Sequence, residues 1–251
     1  FMAQPDWSKN PSQIVQYASC HDNYTLMDKI ILSTKKTGID AEAIKMNNLA
    51  AAVYMTSQGI PFIHAGEEFL REKLEEDGGR SENSYNASDF VNHLDWNDLV
   101  KYADNVAYYQ GLIAFRAANP ALRYATSAEV KANVHNLVTE ANMLVYRVDA
   151  NGTADKNDED ILVIFNAGGA ARTVDLPEGE WTIYVNDKKA GTQALGTAEG
   201  SVTVAGISAM VLTQGEIEVK PTFCHMTLDG NGGVLPSGKQ TVTYSVKVGY
   251  S

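Results

Sequence analysis

Two cysteines, Cys20 and Cys224, are all that the 251 residues contain. So few, so far apart, make neither a disulfide framework nor a zinc-ligand pattern. The sequence also lacks any run of eighteen apolar residues, which excludes a membrane-spanning helix. Its first residues, Phe-Met-Ala-Gln, have neither the charged nor the apolar region of a signal peptide. Positive charge is scarce: 20 Lys and Arg stand against 31 Asp and Glu, for a net charge of −11. Clustered basic side chains are what bind a phosphate backbone, so a nucleic-acid partner is excluded. An acidic surface suits a neutral polymer, which needs no charge attraction. What is present is 44% hydrophobic residues, enough to bury the core of one large domain or two modest ones.

Three regions follow one another, at 1–124, 125–216 and 217–251. The first alternates strands and helices. "IVQYAS" (Ile14–Ser19) is a compact β-prone run. Thr25 with Asp28 three residues on forms a capping-box pattern that opens a helix through "LMDKIILST". Asp40 caps a second helix, Ala41 to Ser57, in which Ile44, Leu49, Val53 and Tyr54 recur at helical spacing. "IPFIHAG" (Ile60–Gly66) reads as a buried parallel strand. A third helix runs from about Asn105 to Ala118 and stops before Pro120. This order is α/β, and its polar chemistry follows each strand, where sites form in parallel sheets and barrels.

From Thr126 to Gln214 the expectation is an antiparallel β-sandwich. Its strands are "NMLVYRVDA", "DILVIFNA", "ARTVDL", "WTIYVND", "GSVTVAG" and "SAMVLTQ". The acidic loop Asn151–Asp160 reads as a solvated hairpin connection. A structural calcium there is conceivable but unsupported, because Gly152 does not fall where an EF-hand loop needs its glycine. From Pro221 onward a strand, a Gly-Asn-Gly-Gly turn and a second strand open a further small β-module. Both ends read as cut, which leads us to expect a piece of a longer polypeptide.

"VQYASCHDNYTLMDKI", "GIPFIHAGEEFLR" and "ENSYNASDFVNHLDW" occur in that order and span about half the chain together with their surroundings. They closely resemble the last part of the catalytic domain of type I pullulanases, glycoside hydrolases of family 13 in the α-amylase superfamily. "FRAANPALR" (Phe115–Arg123) is similar to that domain's last helix and its exit. The resemblance implies the C-terminal fragment of a (β/α)₈ TIM barrel, carrying its seventh and eighth strands, followed by the family's C-terminal β-domain. It implies retaining hydrolysis of α-1,6 branches in pullulan, starch or glycogen dextrins, with no cofactor required. The family's Asp nucleophile and Glu acid/base follow the fourth and fifth strands, which would precede Phe1, so this chain alone is expected to be inactive. A complete barrel takes roughly 250 residues, and the α/β region here supplies about half of that.

In the resemblance, Asp22 matches the aspartate that stabilises the transition state, and His21 the histidine that hydrogen-bonds the same glucose. Asn23 continues that motif. Asn83 and Tyr85, in "NSY", match the substrate-side loop. By residue type alone, His21–Asp22 also fits an ordinary strand-exit turn, and Asn83 and Tyr85 fit a structured loop with a half-buried tyrosine. One of Glu67 and Glu68 is expected in the site wall, holding a barrel side chain or a distant sugar; we name Glu67. Their other reading is a carboxylate at a short helix's N-terminus. His64, inside an apolar strand, reads as a satisfied core histidine, and Cys20 as a small buried strand residue. Trp96 is expected to pack its loop against the barrel, and Trp181 to lie in the sandwich core.

The tail "VTYSVKVGYS", after "DGNGG", resembles the start of repeats in internalin-type bacterial surface proteins. That implies an extracellular or cell-wall-associated enzyme; by its residues alone the tail is the opening of any small β-module. Two other functions remain open on the sequence. One is another α-amylase-superfamily enzyme, such as an isoamylase, an amylase or a branching enzyme. The other is a non-catalytic carbohydrate-binding protein.

Overall fold

The computed structural model describes residues 8–150, 159–217, 222–229, 231, 233–234 and 238–248. The chain divides into two compact units, Phe1–Ile217 and Glu218–Ser251.

In the first unit, β1 (Val15–Gln16) and β2 (Ile60–Pro61) pair in parallel, Val15 opposite Ile60. Each is shorter than the apolar run that contains it. Two strands bond only where they overlap, and here Ile60 N–H donates to the Ile14 carbonyl and Phe62 N–H to that of Gln16, both at 2.9 Å. Pro61, with no N–H to give, leaves this ladder intact.

Local signals start the helices where the sequence places them. Thr25 Oγ1 accepts from Asp28 N–H at 3.1 Å, and Asp28 Oδ2 accepts from Thr25 N–H, opening α1 (Leu26–Thr34). Asp40 accepts from Ala43 N–H at 2.8 Å and opens α2 (Ala41–Thr56). The short helices α3 (Asp89–Asn92) and α4 (Trp96–Lys101) precede α5 (Ala103–Ala118). Arg116 of α5 closes the end of α2. Its guanidinium donates to the carbonyls of Met55, Ser57 and Gly59 at 2.7–2.8 Å, satisfying groups a helix terminus would leave unpaired.

The β-rich part departs from expectation in four ways. It opens with a helix, α6 (Ser127–Asn133), set by a Thr126–Glu129 capping box. A strand not foreseen, β3 (Val134–Glu140), then leads to β4 (Met143–Val148) and β5 (Ile161–Asn166). "ARTVDL" and "WTIYVND" join as one long strand, β6 (Arg172–Val185), followed by β7 (Gly196–Val204) and β8 (Ser208–Thr213). Pro177-Glu178-Gly179, which reads as a turn, is instead an irregularity inside β6. The register with β7 shifts between Asp175 and Glu180, Gly179 takes φ 107°, and Trp181 Nε1 donates to the Pro177 carbonyl at 3.0 Å.

All six strands form one antiparallel sheet, in the order β3-β4-β5-β8-β6-β7, where two separate sheets were expected. A second layer is still made. Val174 and Val204 pack with Trp181, Met143, Val145, Leu162, Ile164 and Leu212 on one face. On the other face Tyr146, Val163, Phe165 and Val211 pack against Ala51, Tyr54, Met55, Leu112 and Phe115 of α2 and α5. Covered on both sides, β5 is buried at all six positions. Helix α5 and the β6–β7 connection approach closely at Gly111, where a Cβ would lie 2.0 Å from the Ala190 carbonyl oxygen. α2 and α5 thus pack on the six-stranded sheet, and Ala18 and Ile63, just past β1 and β2, pack against the same core.

The second unit is a hairpin of β9 (Thr222–Asp229) and β10 (Thr241–Val248), Asp229 opposite Thr241, matching the two strands expected there. Most of the acidic loop, where calcium was considered, lies outside the described residues. No described helix is long and apolar enough to cross a membrane.

Candidate active-site segment

β1 delivers the chain into a tight polar turn. His21, Asp22 and Asn23 are exposed, and Asn23 adopts the left-handed conformation at φ 67° that asparagine tolerates better than most residues. Its Oδ1 accepts from the next amide, Tyr24 N–H, at 2.8 Å, which fastens the turn from within. His21 Nε2 lies 3.4 Å from Asp22 Oδ2, and the side chains are 85% and 71% exposed. Among the described residues, Asp22 has no ion pair with lysine or arginine. An interior aspartate, or one locked to such a cation, would not serve a sugar; Asp22 is neither.

The turn is held from below by a residue that sequence reasoning missed. Lys73, only 1% exposed, donates from Nζ to the carbonyls of His21 and Asn23, each at 2.9 Å. Its backbone N–H donates to Asp28 Oδ2 at 3.0 Å, so the loop after β2 is anchored to the first turn of α1. Asp28 is fully buried, and Arg80 Nε lies 3.1 Å from its Oδ1, an ion-pair distance without hydrogen-bond alignment. Arg80 also pairs with Glu72. Within "REKLEEDGGR" nothing distinguishes a buried lysine from a solvated one; the signal is absent.

Glu67 is interior, 5% exposed, in a single 3-10 turn, Glu67–Phe69. Oε2 accepts from Ser19 Oγ at 2.7 Å, and Oε1 accepts from the hydroxyls of Tyr54 at 2.7 Å and Tyr109 at 3.3 Å. Glu67 thus holds Ser19, two residues before His21. Burial pushes its carboxyl above the ordinary range, against the pull of the three hydroxyls. Glu68 Oε2 accepts from Gly66 N–H at 3.1 Å.

His64 is half-buried and lies beside Ser19, Glu67, Leu70 and Arg71. Arg71 Nη1 lies 3.4 Å from Nε2, and Ser19 Oγ 3.5 Å from Nδ1. Arginine can only donate and the Ser19 hydroxyl is committed to Glu67, which assigns the proton to Nδ1. Burial, with the Arg71 charge behind it, lowers the imidazole to about 4. Between pH 6.5 and 4 the unfolded chain therefore binds a proton that the folded one refuses, and stability falls as pH drops through that window. We expect His64→Gln to flatten this part of the melting-temperature profile; an unchanged slope would contradict the assignment.

Asn83 and Tyr85 are exposed, Tyr85 by 79% rather than half-buried, on a loop anchored by Ser84, whose carbonyl accepts from Asn92 Nδ2 at 2.7 Å. Among the described residues no hydrogen bond or ion pair joins them to His21 or Asp22; the link runs through Ser81 N–H to the Lys73 carbonyl at 2.9 Å. Cys20 departs from expectation: it lies beyond β1, half-buried, with Sγ 3.8 Å from the Asp22 carbonyl. Past the two-residue ladder the chain has turned outward, so the position is no longer a strand interior. Trp96 is 65% exposed with one edge near Phe69, ring centroids 6.0 Å apart. Trp181 is buried, as expected.

Residues 130–189 match the family described as pullulanase, all-beta domain. The pullulanase of Bacillus subtilis strain 168 is 36% identical over 159 residues, covering 62% of this chain and 21% of its own length. A pullulanase structure from Bacillus acidopullulyticus superposes with TM-score 0.77 at 37% identity, over 83% of this chain and 25% of that one. A type I pullulanase from B. subtilis, complexed with maltose, superposes with TM-score 0.76 at 29% identity, over 87% and 29%. The chain thus spans about a fifth of the length of its B. subtilis relative. On these matches, the chain corresponds to the C-terminal region of type I pullulanases.

Proposed function

We propose that this chain supplies the His21–Asp22 side of the active centre in a retaining α-glucan debranching hydrolase that cleaves α-1,6 bonds. The observation that carries the reading is the turn after β1, which presents an imidazole and a carboxylate together to solvent, with no lysine or arginine among the described residues paired to Asp22. A pyranose beside the turn meets an acceptor in Asp22 and a donor in His21. As positive charge grows on the anomeric carbon, a fixed carboxylate on the sugar's hydroxyls binds the transition state more tightly than the ground state. Bond cleavage itself falls to a nucleophile and an acid/base about 5 Å apart, contributed by the wider catalytic domain.

The barrel reading is supported by β1 and β2, which are parallel and apolar. Val15, Tyr17, Ile60 and Phe62 are exposed, while Ala18 and Ile63 pack toward the helices. Neighbouring barrel strands would cover that exposed row. Maltose in the B. subtilis structure is consistent with an α-glucan ligand. An exported, wall-associated setting rests on the tail resemblance. The test is product analysis: the full-length protein on pullulan should release maltotriose, and the 251-residue chain alone should release none. Cleavage by the chain alone, or products cut only at α-1,4 bonds, would overturn the reading.

A further inference from the structure

We propose that Lys73 is a positioning residue for Asp22: its buried ammonium clamps the two carbonyls that flank Asp22 and so fixes where the carboxylate points. The inference rests on the role proposed for Asp22. The turn's other hydrogen bonds among the described residues are local, from the Tyr24 amide to Asn23 Oδ1 and from Cys20 Sγ to the Asp22 carbonyl, and neither ties it to the rest of the fold. Its three side chains are exposed, and Asn23 sits at a positive φ that is intrinsically less favourable than the extended region. One donor group bridging the His21 and Asn23 carbonyls ties residues 21 and 23 together across the residue that must be aimed.

Lysine suits this task. An ammonium offers three donors and no acceptor, so it can grip two carbonyls at once. A charged donor also makes a shorter, stronger hydrogen bond than a neutral one. Among the described residues, the ammonium's hydrogen-bond partners are main-chain carbonyls rather than carboxylates. The clamp is itself fixed, because Lys73 N–H is bonded to Asp28, the carboxylate that caps α1. Helix, turn and the loop after β2 therefore form one cross-laced unit. A carboxylate that must meet sugar hydroxyls within a few tenths of an ångström gains from such pre-organisation, and a small misplacement costs rate more than affinity.

The test is a double-mutant cycle in the full-length protein, using Lys73→Met, Lys73→Arg, Asp22→Ala and the Lys73→Met/Asp22→Ala pair on pullulan. Methionine keeps the buried stem and removes only the donors. Lys73→Met should lower kcat at least tenfold with KM changed less than threefold, and Lys73→Arg should recover part of the loss. Deuterium uptake should rise in the peptide spanning 19–25 and stay unchanged within α1. In the pair, Lys73→Met should add nothing to Asp22→Ala, because the clamp acts through that carboxylate. Losses that multiply, or a kcat unchanged in Lys73→Met, would overturn the proposal. If Asp22→Ala leaves kcat intact, the role given to Asp22 fails, while uptake in the 19–25 peptide still decides whether the clamp exists.

Discussion

Asp22→Ala in the full-length protein is expected to lower kcat on pullulan by about 100- to 1,000-fold, with KM changed far less. That is the size of effect seen when one pre-organised electrostatic group is removed from an active site, roughly 3–4 kcal/mol of transition-state stabilisation. The split follows from the chemistry. A carboxylate that only held ground-state glucose would raise KM and leave kcat alone. The thermal midpoint should barely move, because the Asp22 side chain is mostly exposed and its one ion-pair contact among the described residues is with His21. Asp22→Asn keeps the shape and one acceptor but loses the charge, so it should recover little of the rate. Steady-state kinetics beside a melting curve tests both statements. A variant altered mainly in KM, or one that loses activity only because it unfolds, would count against the assignment.

Glu67→Ala is expected to destabilise the fold by about 1–3 kcal/mol, the range for leaving a buried neutral polar group without its partner. Three hydroxyls, from Ser19, Tyr54 and Tyr109, would lose their acceptor in a site closed to water. Asn47 Nδ2 donates to the Tyr109 hydroxyl at 2.8 Å, so the disturbance would reach α2 and α5 together. Glu67→Gln should cost much less, since its amide oxygen can still serve both tyrosines. The pH dependence gives a second check. A carboxyl whose folded pKa is raised contributes stability below its unfolded pKa and loses it as pH rises through the folded value. The gap between wild type and Glu67→Gln should therefore shift in favour of Gln as pH rises. Denaturant unfolding at two pH values measures both. Equal stability of Glu67→Ala and wild type would show that the hydroxyl cluster contributes nothing.

The helix starts were legible because their causes are local. Thr25 with Asp28, and Asp40 with Ala43, bond across three residues. The same rule announced α6 through Thr126 and Glu129, yet the alternating pattern beyond it drew the whole stretch into a strand reading. "VHNLVTE" hides β3 because only Val134 is buried; an edge strand that is half solvated carries a weak apolar signal. The ordered motifs around His21–Asp22 were equally legible, since that resemblance depends on residue identity and not on packing.

By itself the sequence determined the helix caps, the apolar strand runs and the His-Asp pair that follows the first of them. Tertiary structure alone decided that β6 runs through Pro177–Gly179, that Glu67 turns inward to Ser19, and that Lys73 reaches back under the turn. The reason is distance along the chain. Caps and turns join residues three or four apart, whereas Ser19–Glu67 and His21–Lys73 are separated by 48 and 52 residues. Which of two glutamates is buried, or which lysine in a charged run is dry, depends on where packed helices and strands bring those distant stretches together.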